Sequence, residues 1–535
     1  MARTKEETIR EATDFVLNSI DPKKIPAPGD IKADILERVA DAIDVENSVR
    51  AKNRKWKAPD RLLPVQVAQI ITRLYPIAAI ETGGKNCDKD YTLLGLYQAD
   101  GPNAGIYVES EETFENLADE YCYGMTEFES KEMFRHLRRM APRRLLCKEP
   151  HLIAVNNGIF DYDKKQLLPF TPELVFMAKS RINYNPKAVN VIIHNPVDGT
   201  DWDVESWMES LSPDKGVVYL LWQILGAIIR PNVPWNTAAW FYSEKGNNGK
   251  GTFCELARQL CGEGTYASIP LSDMSKDFML EPLTRATAII VDENDVGTYI
   301  DKAANLKAII TGDTITINRK FKTALPFQFH GFMIQCLNEM PRIRDKSDSF
   351  YRRQIFIEFL NCFTGVERKY IKNDYLHRQD VLEYVLFKVL NMSYYEFDVP
   401  DVCKQALEEY KEFNDPVRQF MGEIMDELQW DLVPFQFLHD LYKAWYKKNF
   451  SDRGDMKSSV VFIKDVVKLL DKYPNWSCDD KRKSIRPGNK MDKTEPLIDE
   501  YNLVDWMNPQ YMSSKDIDKK CRPALKSYYR GIVRV

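Results

Sequence analysis

The residues of this sequence that are best suited to chemistry lie in three short stretches, and each stretch follows an apolar run. The first reads GNNGKGTF and spans Gly246 to Phe253; the second ends in Asp292 and Glu293, and the third ends in Asn338. Apolar runs that deliver polar side chains at their carboxyl ends are typical of buried parallel strands. The order predicts a site for phosphate chemistry along one edge of a sheet.

The first stretch has the composition of a loop that binds nucleotide phosphates. Its glycines let backbone N–H groups approach phosphate oxygens, Lys250 can reach the β- and γ-phosphates, and the following helix directs its positive end toward them. The match to G-x-x-x-x-G-K-[ST] is incomplete, because Glu244 replaces the first glycine and Gly251 follows the lysine. A hydroxyl ligand for Mg²⁺ would therefore come from Thr252 or be replaced by water. The residues predicted to bind ATP are Gly246, Asn247, Asn248, Gly249, Lys250, Gly251, Thr252 and Phe253.

The second stretch, ATAIIVDEND, places two carboxylates directly after a predicted buried strand, Ala288 to Val291. Asp292 can hold Mg²⁺ through water beside the phosphates, and Glu293 can orient and polarise an attacking water. A kinase that transfers phosphate to a bound acceptor needs no water-activating glutamate at this place. The acidic pair therefore favours hydrolysis of the nucleotide.

Residues 306–359 add three further features. The run TITINRKFK alternates like a strand and ends in a basic tip around an aromatic ring, which suits the phosphates and bases of single-stranded DNA. The strand-like GFMIQCLN delivers Asn338, which can position the water. Arg352 and Arg353 precede a fourth apolar strand, where an arginine can stabilise charge on a γ-phosphate in its own subunit or a neighbour's. The residues of the basic tip are Arg319, Lys320, Phe321 and Lys322.

The composition describes an ordinary soluble globular protein with several domains. The chain has 535 residues, of which 44% are hydrophobic and 29% charged, and no apolar run is long enough to span a bilayer. Ten cysteines without a C-x-x-C pair, together with six scattered histidines, argue against a zinc site or a disulfide framework. The net charge is −5, yet residues 481–535 carry 13 Lys and Arg against 7 Asp and Glu. We expect a cytoplasmic protein with a basic carboxyl-terminal segment.

Three regions are expected along the chain. Residues 1–200 read as a mainly helical region that ends in a hairpin around NNG, and residues 201–390 as an α/β phosphate-loop domain with helical flanks. Residues 391–535 read as a helical linker followed by a winged helix and a basic tail. The basic segment DDKRKSIRPGNK of this region is predicted to bind DNA through Lys481, Arg482, Lys483 and Arg486.

Together, these motifs resemble those of the superfamily 3 helicases, AAA+-type motors of viruses, phages and plasmids, and in particular their phage/plasmid primase–helicase branch. GNNGKGTF looks like the phosphate loop of that branch, IIVDEND is similar to its Walker B strand, and MIQCLN resembles its sensor-1 strand. LKAIITGDTITINRKFK resembles the hairpin that reaches into the central pore, where Lys320 and Phe321 take the positions that grip single-stranded DNA. Lys307 falls where relatives carry a basic residue facing the neighbour's nucleotide. Alignment of RRQIFIEF makes Arg353 the first choice of arginine finger and Arg352 the second.

The resemblance implies an AAA+-type P-loop motor with a carboxyl-terminal winged helix, ATP and Mg²⁺ as cofactors, and a homo-oligomeric ring, expected to be a hexamer. It implies an ATP-dependent helicase that moves along single-stranded or forked DNA and serves replication initiation of a phage, plasmid or genomic island in the cytoplasm of a bacterial host. Origin duplex is a further expected partner, and a membrane is not.

Two alternatives stay open. One is an ATP-switched origin-binding initiator with little unwinding activity, because Glu244 and Gly251 depart from the usual loop pattern. The other is a nucleotide kinase, which shares the G-K-G-T ending but leaves the hairpin and the acidic pair unexplained.

Overall fold

The structure is a computed structural model that describes residues 3–22, 24–83, 91–295, 297, 299–300, 302–320, 322–450 and 456–535. The chain divides into two compact units, residues 1–404 and 405–535. The mixed α/β class with a parallel sheet, expected from the sequence, is confirmed in the first unit. The boundary between the units lies inside the region 391–535 that the sequence set apart.

The first 145 residues combine helices with a sheet, where the sequence predicted mainly helix. The elements are α1 (Lys5–Asn18), α2 (Pro28–Ser48), α3 (Pro64–Leu74), β1 (Ile77–Glu81), β2 (Leu93–Tyr97), β3 (Tyr107–Val108), α4 (Glu111–Tyr121), α5 (Glu127–Met140) and β4 (Arg143–Leu145). The strands form one sheet in the order β3-β2-β1-β4. The sequence does not reveal β1 and β2 because they are almost completely buried and so lack the alternation of a half-exposed strand.

Residues 152–229 lead from this region to the central sheet. Here β5 (Leu152–Val155) and β6 (Gly158–Asp161) form the antiparallel hairpin that NNG predicts, and β7 (Gln166–Leu168) adds a third strand. A short pair, β8 (Ile193–His194) and β9 (Asp201–Trp202), is followed by α6 (Val204–Glu209) and α7 (Lys215–Ile229). Residues 220–229 of α7 are all buried, so this helix belongs to the core of the unit.

The remaining elements of the first unit include a parallel sheet of five strands. They are β10 (Ala238–Tyr242), α8 (Lys250–Cys261), β11 (Tyr266–Ala267), β12 (Ala288–Val291), β13 (Tyr299–Ile300), α9 (Ala304–Thr311), β14 (Thr314–Arg319), β15 (Lys322–Gln328), β16 (Phe332–Leu337), β17 (Arg342–Ile343), α10 (Asp348–Tyr351), β18 (Gln354–Glu358), α11 (Lys369–Asn373) and α12 (Gln379–Asn391). The next helix, α13 (Asp401–Asn414), begins in the first unit and continues into the second. Five strands pair in the order β11-β12-β16-β10-β18, all parallel. Parallel strands share their carboxyl edge, so β16 brings the residue after it between the ends of β10 and β12.

The second unit has a core of helices packed on a small antiparallel sheet. Its elements are α14 (Pro416–Ile424), β19 (Leu432–Pro434), α15 (Phe435–Asn449), α16 (Ser459–Leu469), β20 (Trp476–Ser477), α17 (Leu497–Glu500), α18 (Ile517–Lys520) and β21 (Gly531–Arg534). The strands pair in the order β19-β21-β20. Aromatic rings from α14, α15 and α16 pack against one another in the core. No described helix of either unit combines the length and the apolar character that a membrane crossing requires.

Candidate active site

The conformation of the loop between β10 and α8 is fixed by contacts of the loop residues themselves. Gly249 adopts φ +90°, and a Cβ there would lie 2.6 Å from a methyl of Leu211, so glycine is required on both conformational and steric grounds. The Asn248 amide donates to the Lys245 carbonyl, while its Oδ1 accepts from the Lys250 backbone N–H at 3.2 Å. These contacts tie the loop of residues 243–249, which follows the buried strand β10, to the first turn of α8.

Lys250 and Asn338, both predicted site residues, meet at the carboxyl edge of the sheet. The Lys250 ammonium donates to Asn338 Oδ1 at 3.0 Å and to the carbonyl oxygens of Leu337 and Ser243 at 2.8 and 3.1 Å. The lysine is only 4% exposed, and burial lowers its pKa. Its charge is therefore stabilised by oxygens of the sheet edge rather than by water.

The acidic pair follows β12, at the same edge but one strand further away. Asp292 forms an ion pair of 2.7 Å with Arg258 on α8, whereas Glu293 is exposed. Arg258 also lies 3.5 Å from Glu255 one turn earlier. Sequence reasoning missed Arg258, because nothing in a helical sequence indicates which of its cations turns toward a distant strand.

Asn294 is a second residue that sequence reasoning missed. It is buried, its amide donates to Gln335 Oε1 and to the Cys336 carbonyl at 3.0 Å each, and its Oδ1 accepts from the Leu271 N–H at 2.9 Å. These bonds fix the chain just after Glu293 against β16. The only sequence signal is its position directly after the acidic pair.

A cavity of about 700 Å³ opens beside the loop and has the size of a small-ligand site. Gly249, Gly251 and Thr252 line it on one side, while α6 and residues 363–373 line the other sides. The loop is tied to this second wall, because the Phe363 N–H donates to the Asn247 carbonyl at 2.7 Å and the Asn247 amide donates to Glu367 at 3.1 Å. Aromatic side chains of the wall are Trp202, Trp207 and Phe363.

Phe253 lies away from this cavity. Its ring is fully buried, and its centroid is 5.2 Å from that of Phe241 on β10. The side chain therefore packs α8 onto the sheet and is not placed to contact a nucleotide, in contrast to the sequence-based expectation.

Arg352 and Arg353 lie at the opposite edge of the sheet from the loop of their own chain. They directly precede β18, which runs parallel to β10, and the Arg353 carbonyl accepts from the N–H of Ala238, the first residue of β10. Arg352 is exposed, whereas the Arg353 guanidinium donates to the Ser349 backbone carbonyl and, at 2.8 Å, to its hydroxyl. Lys307, on α9, forms an ion pair of 2.6 Å with Asp345.

The predicted DNA-binding hairpin is present as the antiparallel pair β14–β15. Lys320 is exposed at its tip, and Phe321 lies outside the described residues. Arg319 is turned inward, with its side chain 7% exposed, and pairs with Glu109 at 3.3 Å; Lys322 pairs with Glu111 at 3.5 Å. Two of the predicted DNA-binding cations are thus already neutralised by carboxylates of the same chain.

The basic segment of the second unit follows β20. Lys481, Arg482 and Lys483 are exposed there. Arg486 is also exposed, but its guanidinium stacks over the Tyr528 ring and donates to its hydroxyl at 2.8 and 3.0 Å. The first three residues form an exposed basic run, and the fourth is braced by an aromatic ring.

Three family models match separate parts of the chain. Residues 3–212 match a family described as D5 N terminal like, and residues 412–502 match one described as Poxvirus D5 protein-like. Between them these two models span more than half of the 535 residues. Residues 241–353, which include the phosphate loop and the acidic pair, match a family of unknown function, DUF5906.

Two curated viral relatives are similar over more than half of this chain. The "Putative helicase 121R" of Invertebrate iridescent virus 3 is 21% identical over 365 residues, which cover 60% of this chain and 38% of the relative. The "Putative helicase L207/L206" of Acanthamoeba polyphaga mimivirus is 22% identical over 344 residues, which cover 58% and 34%. The chain therefore spans little more than a third of the length of these relatives.

Among solved structures, the apo structure of the NrS-1 C-terminal region (305–718) is similar with a TM-score of 0.44 and 14% identity, over 79% of this chain and 97% of that chain. The D5 family matches and the viral helicase relatives agree with the motifs read from the sequence. These similarities support the resemblance of the chain to the primase–helicases of phages and viruses.

Proposed function

We propose that this protein is an ATP-dependent DNA helicase that works as a ring of identical subunits, hexameric by family resemblance, in replication initiation of a mobile or viral genome. The observation that carries the proposal is the meeting of three predicted groups at one sheet edge. Lys250 lies 3.0 Å from Asn338, and the acidic pair Asp292–Glu293 follows the adjacent strand. This is the set of side chains that a nucleotide-hydrolysing site requires.

The residues at this edge fit ATP and Mg²⁺. The glycine-lined start of α8 opens onto a cavity with aromatic walls, which suits phosphates and a base respectively. Asp292, at the carboxyl end of β12, and Thr252, in the first turn of α8, are the residues that would hold Mg²⁺ beside the phosphates. When bound, Mg²⁺ neutralises phosphate charge.

Each side chain then has a defined part. Lys250 exchanges its carbonyl partners on the sheet edge for phosphate oxygens, and Glu293 polarises the attacking water. Asn338, whose Oδ1 lies 3.0 Å from the Lys250 ammonium, positions that water. Arg352 or Arg353, with Lys307, serves the nucleotide of the next subunit in the ring.

DNA contacts are assigned to two places. The tip of the β14–β15 hairpin, with Lys320 and Phe321, grips a single strand in the pore, and hydrolysis moves that tip. The second unit has the succession of a winged helix, with a strand between its first two helices and a three-stranded sheet of order β19-β21-β20. Its exposed run of Lys481, Arg482 and Lys483 supports binding to forked or origin duplex.

Unwinding of a forked duplex with ATP and Mg²⁺ tests the proposal. We expect the wild-type protein to separate the strands and Lys250→Ala to lose both hydrolysis and unwinding. Lys320→Ala should keep ATP hydrolysis but lose unwinding, because it changes only the exposed tip of the hairpin. If the wild-type protein hydrolyses ATP but separates no strands, on forked duplexes with single-stranded tails of either polarity, the proposed helicase function is contradicted.

An ATP-switched origin-binding initiator is the second candidate. The observation that favours it is the ion pair of 2.7 Å between Arg258 and Asp292, which neutralises the expected metal ligand. A protein of this kind would assemble on origin duplex when ATP binds, and DNA would not stimulate its hydrolysis. Measuring assembly and hydrolysis side by side separates the two candidates.

A further inference from the structure

Lys372 lies beside the start of α8, on the cavity side of the loop. Its ammonium nitrogen is 3.6 Å from the point that a Cβ on Gly251 would occupy, and both residues line the cavity. In the usual pattern the residue after the loop lysine is serine or threonine, and its side chain would project toward this ammonium. The Lys372 ammonium therefore lies on the side of the loop where the usual pattern carries a hydroxyl.

The backbone of Lys372 is tied to α8. His377 Nε2 lies 3.1 Å from the Lys372 carbonyl oxygen and 3.3 Å from Glu255 Oε1 on α8. With the proton on Nε2, the imidazole donates to both oxygens and bridges α11 to α8. These contacts fix the position of the Lys372 backbone relative to the phosphate loop.

The charges around the amino end of α8 favour the binding of an anion. The amino end of a helix carries a partial positive charge, so a lysine beside it is unfavourable by itself. Lys250 adds a second cation at the same turn. Among the residues that the structure describes, no carboxylate forms an ion pair with the Lys372 ammonium. An anion between the helix start and Lys372 would relieve this repulsion.

We propose that Lys372 is a second phosphate-binding lysine, which contacts the α- and β-phosphates of the nucleotide from the cavity side. The assignment rests on the proposed function of the loop. Lys250 approaches from the sheet edge and serves the β- and γ-phosphates, while the start of α8 cradles the phosphates nearer the nucleoside. Because the α- and β-phosphates belong to ATP and ADP alike, Lys372 stabilises both bound nucleotides and not the transition state in particular.

Binding of ATP and ADP to the full chain with Mg²⁺, followed by steady-state hydrolysis, tests this proposal. We expect Lys372→Ala to weaken both nucleotides to a similar degree, by roughly tenfold, which is the loss of one charged hydrogen bond. KM should rise while kcat stays near that of the wild type. Lys372→Arg should recover most of the affinity. Lys369→Ala, on the same short helix and cavity wall, removes an equal charge and is the matched control; it should weaken binding much less than Lys372→Ala, because only Lys372 lies within 4 Å of the Cβ position of Gly251.

Three results would overturn the assignment: a loss confined to ATP, a fall in kcat at unchanged KM, or equal losses in Lys369→Ala and Lys372→Ala. Equal losses would indicate that any positive charge on this cavity wall strengthens nucleotide binding, without a specific contact from Lys372. If the wild-type protein binds neither ATP nor ADP, the proposed function itself fails, and that outcome is distinguishable from failure of Lys372 alone.

A different set of contacts joins the amino-terminal sheet to the hairpin β14–β15. Gln328 N–H donates to the Thr82 carbonyl at 3.1 Å, and the Thr82 hydroxyl donates to the Pro326 carbonyl at 3.0 Å. Near the tip, Glu109 and Glu111, here called the acidic edge, pair with Arg319 and Lys322. The hairpin is thus held along β15 and at its tip.

We infer independently that the acidic edge is an autoinhibitory contact, in which two carboxylates take the places of DNA phosphates. Arg319 and Lys322 reach a phosphate only when Glu109 and Glu111 release them. The two pairs differ in burial: Arg319 and Glu109 are 7% and 19% exposed, whereas Lys322 and Glu111 are 40% and 60% exposed. The outer pair is therefore the easier one for DNA to open.

Affinity for single-stranded DNA at fixed salt, and the ATPase rate with and without DNA, test the contact. We expect Glu109→Gln/Glu111→Gln to bind DNA several-fold more tightly, with an unchanged basal ATPase, because two competing charges are gone. Glu111→Gln alone, at the exposed pair, should give a smaller gain and avoids leaving the buried Arg319 unpaired. Glu112→Gln, the next residue of α4, is the matched control. Affinity equal to or below that of the wild type in both variants would contradict the inference.

Discussion

Replacement of Arg352 by alanine is expected to lower ATP hydrolysis by about 10³- to 10⁵-fold in the assembled protein, the range found for arginine fingers, while ATP binding is retained. The physical reason is the direction of the strands. Arg352 precedes β18, whose five residues span about 17 Å of sheet. The residue therefore lies at the far edge from the loop of its own chain, and it can complete only the site of another copy.

Of the two neighbouring residues, Arg352 is the better candidate for the arginine finger. Alignment of the motif made Arg353 the first choice, but its guanidinium is engaged by Ser349, whereas Arg352 is exposed. Arg353→Ala is expected to act chiefly on the packing of α10 against β18. The comparison of both alanine variants under identical conditions decides between the neighbours.

Mixing two inactive variants tests action between subunits. Lys250→Ala subunits keep Arg352, and Arg352→Ala subunits keep an intact loop. In a head-to-tail ring, a mixed interface therefore contains a complete site when the Arg352→Ala subunit supplies the loop and the Lys250→Ala subunit supplies the arginine. We expect a mixture to recover part of the hydrolysis that neither variant has alone. Activity of Arg352→Ala close to that of the wild type, or a mixture as inactive as its components, would exclude Arg352 as a residue that acts across the interface.

The sequence predicts the parallel sheet and its polar edge because both depend on local patterns. Buried strands such as Ala288–Val291 are short apolar runs, and in a parallel sheet the next residue must lie at the carboxyl edge. A parallel sheet therefore places Lys250 and Asn338 at the same edge, and the pairing of β16 with β10 brings them into contact. The hairpin β5–β6 was likewise readable from NNG at its turn.

The pairings that the sequence could not predict join residues far apart in the chain. Arg258 and Asp292, Arg319 and Glu109, and Lys372 and Gly251 meet only because several elements fold together. A charge pattern read along one helix shows which side chains are cationic, but the partner is selected by packing of the whole unit. The same limitation hid β1 and β2, whose burial on both faces leaves no alternation to detect.

Replacement of Glu293 by glutamine is expected to lower hydrolysis by about 10²- to 10⁴-fold, the usual contribution of a general base, and to leave ATP binding intact. The two neighbouring acids have different surroundings. Asp292 is held by Arg258, whereas Glu293 is exposed at the carboxyl end of β12. Glutamine keeps the shape and can still orient a water, but it cannot accept a proton, so binding and chemistry should separate.

The separation gives the Glu293→Gln protein a diagnostic behaviour. With ATP and Mg²⁺ it should assemble and hold forked DNA without separating it, because the step that moves the hairpin depends on hydrolysis. Glu339→Gln is the matched control, since Glu339 is exposed one residue beyond Asn338 at the same sheet edge and has no assigned part. Equal losses in the two variants would indicate a general effect of negative charge at this edge. Full hydrolysis by Glu293→Gln would remove Glu293 as the base, and the assignment of chemistry to the end of β12 would fall with it.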